Sequence, residues 1–256
     1  MNELAFIKYH GTGNDFIMVD NRSLQHVLTT AQVQWLCDRH FGVGADGVIL
    51  IEPDPSATFF MNYYNSDGSQ SFCGNGSRCA VHFATELGLV NHEVSFRAID
   101  GQHQAYINGH WVEIAMRDAS LPISIPEGKF INTGSPHVLV YVDQVDAYPV
   151  VAEGQRIRYS PMWAKEGTNV NFLEHTPAGL AMRTYERGVE NETLSCGTGA
   201  TAAALVDAFI HGGNERTLIT RGGELKVRFT QHANGFNEIW LCGTATPVFS
   251  GKIQLL

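Results

Sequence analysis

The sequence predicts an α+β fold of two pseudo-symmetric domains, each a mostly antiparallel or mixed, barrel-like sheet wrapped around a central helix. Three observations support this prediction. Apolar, strand-like segments greatly outnumber helical ones. The pattern Cys-Gly-polar-Gly occurs twice, at Cys73 and Cys196, and each copy opens a helical segment. The copies are 196 − 73 = 123 positions apart, close to half of the 256 residues, which indicates an internal duplication.

The strand-like segments are short, and most end at Gly, Pro, Asn or Asp. Asn108 and Gly109 lie between two of them and predict a hairpin turn. We predict strands at residues 5–9, 16–20, 48–52, 58–65, 93–98, 102–107, 111–116, 130–133, 137–142, 170–174, 180–185, 217–220, 224–230 and 237–242.

Three segments carry helical signals. The first, residues 30–39, follows a threonine suited to the N-cap and places apolar side chains on one face. The second, residues 75–87, ends at Gly88, a residue typical of the position after a helix. The third, residues 197–210, ends before Gly212.

The repeat also predicts where the domains meet. Polar residues and a proline interrupt the strand pattern between Arg117 and Pro122. We therefore place an N-terminal domain at residues 1–118 and a C-terminal domain at residues 119–245. A last strand, at residues 246–256, is expected to complete the first domain, and the active site is expected in the cleft between the two domains.

Composition excludes several classes of function. The chain has 17 Lys and Arg against 26 Asp and Glu, a net charge of −9, with no basic stripe, so nucleic acid is not expected as a partner. No apolar run approaches the roughly 20 residues of a membrane span, and the first residues lack a signal-peptide pattern. Five cysteines, an odd number, do not indicate a disulfide framework, so we expect a cytoplasmic protein without membrane contact.

A zinc site is the first alternative for the cysteines. Cys73, Cys79 and His82 lie close together in the sequence, but no second ligand pair follows at a zinc-finger spacing. A buried thiol and a buried histidine explain Cys79 and His82 better, so we expect no metal site.

The repeated cysteines carry the predicted chemistry. Each precedes a helix start, where free N–H groups and the helix dipole favour a thiolate over a thiol. The glycines beside Asn75 and Thr198 allow the backbone to approach an anion, such as a substrate carboxylate. A tight turn into a packed helix would explain one such motif, but explains two matched copies less well.

Two equivalent thiols suit a particular reaction. A redox pair would more often be Cys-x-x-Cys on one helix. Thiols on two similar domains, by contrast, suit removal of a proton from one face of a carbon and delivery of a proton to the other face. This pattern favours stereochemical inversion at a carbon acid.

The chain resembles the diaminopimelate epimerases, cofactor-independent two-cysteine enzymes, over its whole length. The resemblance rests on motifs in a fixed order: HGTGNDF at 10–16, GVGADG at 42–47, NSDGS at 65–69, CGNGSRC at 73–79, GSPH at 134–137, GTNV at 167–170, YERG at 185–188 and CGTG at 196–199.

The resemblance implies roles for individual residues. The proton-transfer residues would be Cys73 and Cys196, with His137 near Cys73 and Glu186 near Cys196 as further acid–base groups. Four residues would hold the α-carboxylate of the substrate through their backbone N–H groups and side chains: Gly74, Asn75, Gly197 and Thr198. A second set would bind the polar ends of the substrate: Asn14, Asn65, Asn169, Glu186 and Arg187. Turn-forming asparagines and a surface ion pair are the alternatives for this second set.

Two positions depart from the pattern of many members of the family. Gly47 stands where many have Gln, and Ser135 where many have Asn; one extra residue lies in residues 189–191. A smaller side chain at either position leaves room for water or marks a different substrate preference.

The resemblance implies a pyridoxal-independent isomerase that interconverts LL- and meso-2,6-diaminopimelate for lysine and peptidoglycan precursors, with no cofactor. Homodimers occur in the family that the chain resembles. Racemisation of another amino acid is a second hypothesis. A non-catalytic amino-acid-binding or redox-sensing protein is a third, although pure binding does not require both cysteines.

Overall fold

The structure, a computed structural model, describes residues 3–255 and has the mixed α+β fold that the sequence predicts. Its helices are α1 (Thr30–Cys37), α2 (Gly74–Glu86), α3 (Val150–Arg158) and α4 (Gly197–His211). Its strands are β1 (Glu3–Gly11), β2 (Asn14–Asp20), β3 (Gly47–Glu52), β4 (Phe60–Asn65), β5 (Glu93–Ala98), β6 (Gly101–Asn108), β7 (Trp111–Ala115), β8 (Ala119–Ser120), β9 (Ile123–Ile125), β10 (Gly128–Asn132), β11 (Pro136–Tyr141), β12 (Asn169–Thr176), β13 (Gly179–Glu186), β14 (Asn191–Thr193), β15 (Glu215–Thr220), β16 (Gly223–His232), β17 (Gly235–Thr244) and β18 (Thr246–Gln254).

The chain forms two compact units. The first unit consists of two stretches of sequence, the residues up to Ile114 and the residues from Gly243 onward. The second unit is one stretch, Ala115–Cys242. The domain boundaries that we placed from the sequence, at residues 118 and 245, stay predictions. Residues 1, 2 and 256 of the predicted domains lie outside the part of the chain that the structure describes.

The sheet of the first unit is mixed. Strand β1 lies between β18 and β2 and is antiparallel to both. The sheet continues through β3, β4 and β5, with parallel pairing at β2–β3 and β4–β5, and ends in the antiparallel strands β6 and β7. Helix α2 packs against strands of this sheet and is buried from Gly74 to Ala84, as a helix surrounded by a sheet must be.

The second unit repeats this plan. Hairpin β10–β11 is joined in parallel to hairpin β12–β13, and β13 in turn pairs in parallel with β15 of hairpin β15–β16. Helix α4 packs against these strands and contains an alanine-rich stretch, Ala202 to Ala204, with no exposed surface. Small side chains allow a sheet to close around a helix without voids.

Every predicted strand segment contains a strand, and the three predicted helices are present. Helix α1 ends two residues earlier than predicted, because the Asp38 carboxylate accepts hydrogen bonds from the N–H groups of His40 and Phe41 and forms a turn there. Within residues 3–255, no helix combines the length and the apolar content needed to cross a membrane.

The sequence analysis missed helix α3. Its N-cap, Pro149, makes no side-chain hydrogen bond, and Gly154 lowers the helix propensity in its middle. A Cβ on Gly154 would lie 2.3 Å from the Cβ of Tyr185, so the glycine is required for packing against β13. Burial of Val150 and Ile157 therefore stabilises α3 where local signals are weak. The short strands β8, β9 and β14 were also missed.

Candidate active site

Cys73 occupies the N-cap position of α2, with an extended backbone (φ −136°, ψ 113°). Its half-buried Sγ accepts a hydrogen bond from the Gly76 N–H at 3.4 Å. On its other side, Sγ lies 3.6 Å from Oδ1 of Asn14. The thiol thus lies at the positive end of the helix dipole, as the sequence predicts, and Gly74 forms the first residue of the helix.

A buried arginine orients the two asparagines beside this thiol. Arg78 has no exposed surface, and its Nη2 donates to Oδ1 of Asn75 (2.9 Å) and to Oγ1 of Thr12 (3.1 Å). Asn75 Nδ2 therefore faces Oδ1 of Asn14, at 3.3 Å. Asn14 Nδ2 donates in turn to the Asp46 carboxylate at 2.6 Å. The sequence analysis missed Arg78, although it lies one helical turn after Asn75 in the quoted motif.

Asn65 is held at the end of β4. Its Nδ2 donates to the Ser69 and Ser71 hydroxyls, and its Oδ1 accepts from the Tyr63 hydroxyl at 2.9 Å. The same Tyr63 explains Gly47: a Cβ at Gly47 would lie 2.5 Å from the Tyr63 ring and 2.5 Å from a backbone oxygen. The space beside Gly47 is filled by this ring, contrary to the room for water that the sequence analysis allowed.

Cys196 occupies the N-cap position of α4, with nearly the same backbone as Cys73 (φ −126°, ψ 113°). Cys196 is 7% exposed, and its Sγ lies 3.6 Å from Oγ1 of Thr198. No side-chain hydrogen bond caps α4, and Gly197 forms its first residue. The second thiol therefore has a matching local position, with a hydroxyl beside it in place of the asparagine.

His137 is connected to Cys196 through Thr198. Its Nε2 lies 3.0 Å from Thr198 Oγ1, and its Nδ1 lies 3.1 Å from Nδ2 of Asn171. Because Asn171 donates to Nδ1, the imidazole proton belongs on Nε2, facing Thr198. Complete burial, with a smaller contribution from the charge of Arg187, lowers the pKa of His137 to about 3. The ring is thus a neutral donor. The sequence analysis missed Asn171.

Ser135 and Asn169 make hydrogen bonds between separate segments of the second unit. The Ser135 hydroxyl lies 2.9 Å from His137 Nε2 and 3.1 Å from Thr198 Oγ1. Asn169 Nδ2 donates to the Pro136 carbonyl (3.0 Å), and its Oδ1 accepts from the Arg187 N–H (2.9 Å). Ser135 therefore has defined hydrogen-bond partners, and Asn169 positions the segment that carries Arg187.

Glu186 is the last residue of β13, and Arg187 follows it. The Glu186 carboxylate accepts from the Thr193 hydroxyl at 2.8 Å. Arg187 is exposed, and its Nη1 donates to the Glu166 carbonyl at 2.8 Å. Glu190, in the stretch with the extra residue, adopts a left-handed backbone (φ 56°), and its carboxylate accepts from the Gly188 N–H at 3.1 Å.

The second glycine of each repeated motif lies closely against other side chains. A Cβ on Gly199 would lie 2.5 Å from Oδ1 of Asn171 and 3.3 Å from Sγ of Cys196. A Cβ on Gly76 would lie 3.0 Å from Ile49. These glycines thus lie against side chains of their own unit. The expectation that the glycines beside Asn75 and Thr198 allow an anion to approach the backbone stays a prediction.

The structure does not support zinc at Cys73, Cys79 and His82. Cys79 lies in the apolar core of the first unit with no exposed surface, and burial raises the pKa of its thiol. His82 places its Nδ1 at 3.0 Å from the Tyr9 hydroxyl and its Nε2 at 2.9 Å from Nδ1 of His110. Both ring nitrogens already have protein partners.

Comparison with known proteins identifies the family. The family model described as diaminopimelate epimerase matches residues 6–121 and 129–248. The chain is 47% identical to the diaminopimelate epimerase of Flavobacterium psychrophilum, over 98% of this chain and 100% of the relative. It is 42% identical to that of Chlorobaculum tepidum, over 96% of this chain and 99% of the relative.

Solved structures with low sequence identity share the fold. A phenazine biosynthesis protein of the PhzF family from Bacillus anthracis has a TM-score of 0.78 at 15% identity, with 100% of both chains covered. A probable proline racemase from Agrobacterium radiobacter K84 has a TM-score of 0.69 at 17% identity, over 99% of this chain and 93% of the other. With two N-cap thiols on a shared fold and a full-length match, the chain belongs to the diaminopimelate epimerase family, whose members are pyridoxal-independent isomerases.

Proposed function

We propose that this protein interconverts LL- and meso-2,6-diaminopimelate, with Cys73 and Cys196 as acid–base groups for opposite faces of one α-carbon. The observation that carries this proposal is the matched N-cap position of the two thiols on two buried helices. The match to the diaminopimelate epimerases supports the substrate. The product would serve lysine and peptidoglycan precursor synthesis.

The proton balance of this reaction defines the state of each thiol. One cysteine, as thiolate, takes the α-proton and becomes a thiol, while the other delivers its proton to the opposite face and becomes a thiolate. The product enzyme is then ready for the reverse direction. Before another forward turnover, the two sulfurs must therefore exchange protons with water.

The α-proton is a far weaker acid than a thiol, so the carbanion-like state must be stabilised. The first N–H groups of α2 and α4 have no partner within their helices, and we propose that those of Gly74, Asn75, Gly197 and Thr198 bind the α-carboxylate. Loss of one such donor typically raises a barrier by about 2.7–4 kcal/mol.

His137 supports Cys196 by positioning Thr198. The neutral ring donates from Nε2 towards the Thr198 oxygen, which leaves the Thr198 proton available for the sulfur at 3.6 Å. A proton relay through His137 would require the imidazolium, which a pKa of about 3 disfavours at neutral pH. The roles drawn from the family resemblance, His137 towards Cys73 and Glu186 towards Cys196, stay predictions.

The remaining polar residues are proposed to bind the substrate's charged ends. Asn14 lies against Cys73, and Asn65 is held rigidly by two serines, so both amides are preorganised. Glu186 and Arg187 offer opposite charges for an ammonium and a carboxylate group, while Asn169 fixes the backbone of Arg187.

A cytoplasmic location and a homodimer are further proposals. Within residues 3–255 none of the cysteines forms a disulfide, which suits a reducing compartment. Sedimentation equilibrium of the purified chain measures its mass and so tests the dimer directly.

Deuterium wash-in tests the proposed reaction. In heavy water, we expect diaminopimelate to gain deuterium at the α-carbon while LL and meso isomers equilibrate, without added cofactor. Parallel assays with a panel of other amino acids test the second hypothesis. Exchange with one of these, but not with diaminopimelate, would assign a different substrate, and exchange with none would favour a binding protein.

Arg187→Lys is expected to lower kcat/KM by roughly 10-fold or more, because an ammonium cannot reproduce two parallel bonds from a guanidinium to a carboxylate. Arg156→Lys, at an exposed arginine of α3, is the matched control and should leave kcat/KM unchanged. Near-normal kcat/KM in Arg187→Lys would contradict substrate binding by Arg187 and favour the alternative, a surface ion pair.

Tyr63→Phe is expected to raise KM by roughly fivefold, since a neutral hydrogen bond contributes about 1 kcal/mol. Its hydroxyl holds Oδ1 of Asn65 and, through that bond, the orientation of the amide. Tyr64→Phe, which loses a hydroxyl that contacts Asn62, is the neighbouring control. Equal KM values for the two variants would contradict the proposed role of Asn65 in binding the substrate.

A further inference from the structure

A second group of chemically reactive side chains lies at the far end of α4. A surface cavity of about 470 Å³ within the second unit is lined by His175, Asp207, His211 and Arg216, among others. His175 lies on β12, and Asp207 and His211 lie one turn apart on α4. None of these residues takes part in the chemistry proposed above.

The two histidines point the same nitrogen at one carboxylate oxygen. Nε2 of His175 lies 2.9 Å from Oδ1 of Asp207, and Nε2 of His211 lies 3.8 Å from that oxygen. The three potential ligand atoms all lie within 4.8 Å of one another. Ligand atoms around a tetrahedral zinc ion are separated by roughly 3.3 Å, given bond lengths near 2.0–2.1 Å. Both histidines are half-exposed, so small side-chain rotations bring the three atoms to that spacing.

The carboxylate is buried and held rigidly. The Asp207 side chain is 2% exposed; the Arg216 Nε–H donates to its Oδ2, and the Tyr141 hydroxyl donates to Oδ1 at 2.8 Å. Partners of this kind orient the ligands of metal sites. Oδ1 retains a second lone pair, which now faces His175.

The charges favour a cation over an anion. The guanidinium of Arg216 donates hydrogen bonds to protein oxygens: its Nη1 donates to the Glu215 carbonyl (2.8 Å) and its Nη2 to the Gly212 carbonyl (2.5 Å). The groups left facing the cavity are imidazole nitrogens and a carboxylate oxygen. They also lie at the C-terminal, negative end of the α4 dipole.

We propose that His175, Asp207 and His211 bind one divalent transition-metal ion of the zinc class. Two neutral imidazoles and a carboxylate supply three ligands and leave one position for water. Asp207 lies 207 − 196 = 11 residues after Cys196, or about 16 Å along the helix, so the metal does not touch the thiol. The ion links β12 to α4 and thereby stabilises the unit that carries Cys196.

Zinc binding to the full-length protein tests this proposal by calorimetry. Thiols also bind zinc, so wild type and His211→Gln are compared in a Cys73→Ser, Cys196→Ser background. We expect one zinc ion per chain in that background, with an affinity at least about tenfold weaker after His211→Gln, and a Tm that zinc raises only when His211 is present. His232→Gln, at an exposed histidine of the same unit, is the matched control and should bind zinc like its parent.

Two further measurements keep the outcome decisive. Cobalt in place of zinc should give an absorption spectrum without thiolate charge-transfer bands. In the background with both cysteines intact, His211→Gln should retain wild-type epimerase activity without added metal, which shows that it is folded. Zinc binding that His211→Gln leaves unchanged, or no binding at millimolar zinc, would overturn the proposal.

Discussion

Cys73→Ala and Cys196→Ala are each expected to lower the rate of diaminopimelate epimerisation by at least roughly 100-fold, since a positioned acid–base group contributes on that order or more. A single thiol cannot reach both faces of a tetrahedral carbon. The thiol that remains can still remove a proton from one isomer and return one to the same face. We therefore expect deuterium exchange without inversion in at least one variant, measured by mass spectrometry and chiral chromatography.

Cys242→Ala is the matched control, because Cys242 is a buried cysteine of the second unit that forms no disulfide and lies outside the repeated motif. It should retain epimerisation and can lose some stability. If either Cys73→Ala or Cys196→Ala inverts its substrate at more than a few per cent of the wild-type rate, the two-base mechanism is wrong.

Mild oxidation is expected to inactivate the enzyme almost completely, and reductant to restore it. Two thiols that serve one carbon must come within several ångströms of that carbon, and a disulfide of about 2.05 Å can then form after modest movement. Thiolate character also speeds thiol oxidation and exchange. Bound substrate should slow the inactivation, because the proposed mechanism requires one thiol on each face of its α-carbon.

Peptide mapping under non-reducing conditions identifies the bond formed. We expect a link between Cys73 and Cys196. The competing link, Cys73 to Cys79, is opposed by the complete burial of Cys79 in the core. A mapped Cys73–Cys79 bond, or full resistance to oxidant, would show that the two proposed catalytic thiols do not share a substrate.

The repeat predicted more of the fold than local propensity did. Strands and helices with clear periodicity or caps were found, but α3 has a proline at its N-cap and a glycine in its middle. The offset of 123 residues places the counterpart of α1, residues 30–37, at residues 153–160, which overlaps α3 at 150–158. The duplication therefore contained the missing signal. Two-residue and three-residue strands such as β8 and β9 are too short to show any periodicity.

The site was predictable in its chemistry but not in its supporting contacts. The thiols were recognisable from the repeated motif, whereas the role of Asn171 depends on pairing between distant strands that brings it to His137. The room for water expected beside Gly47 was wrong for the same reason: Tyr63 on the neighbouring strand fills that space. The residues adjacent in the sequence do not indicate which side chain of another strand will make such a contact.

The pairing of β1 with β18 has a consequence for biosynthesis. These strands are the first and last that the structure describes in residues 3–255, and a ribosome adds 246 − 3 = 243 residues between their starts, which takes roughly 12–50 s at about 5–20 residues per second. During that time β1 has one unpaired edge, which is a template for aggregation. The second unit is continuous and is complete at Cys242. We therefore expect nascent chains to acquire protease resistance first in the second unit, and in the first unit only once β18 is available to pair with β1.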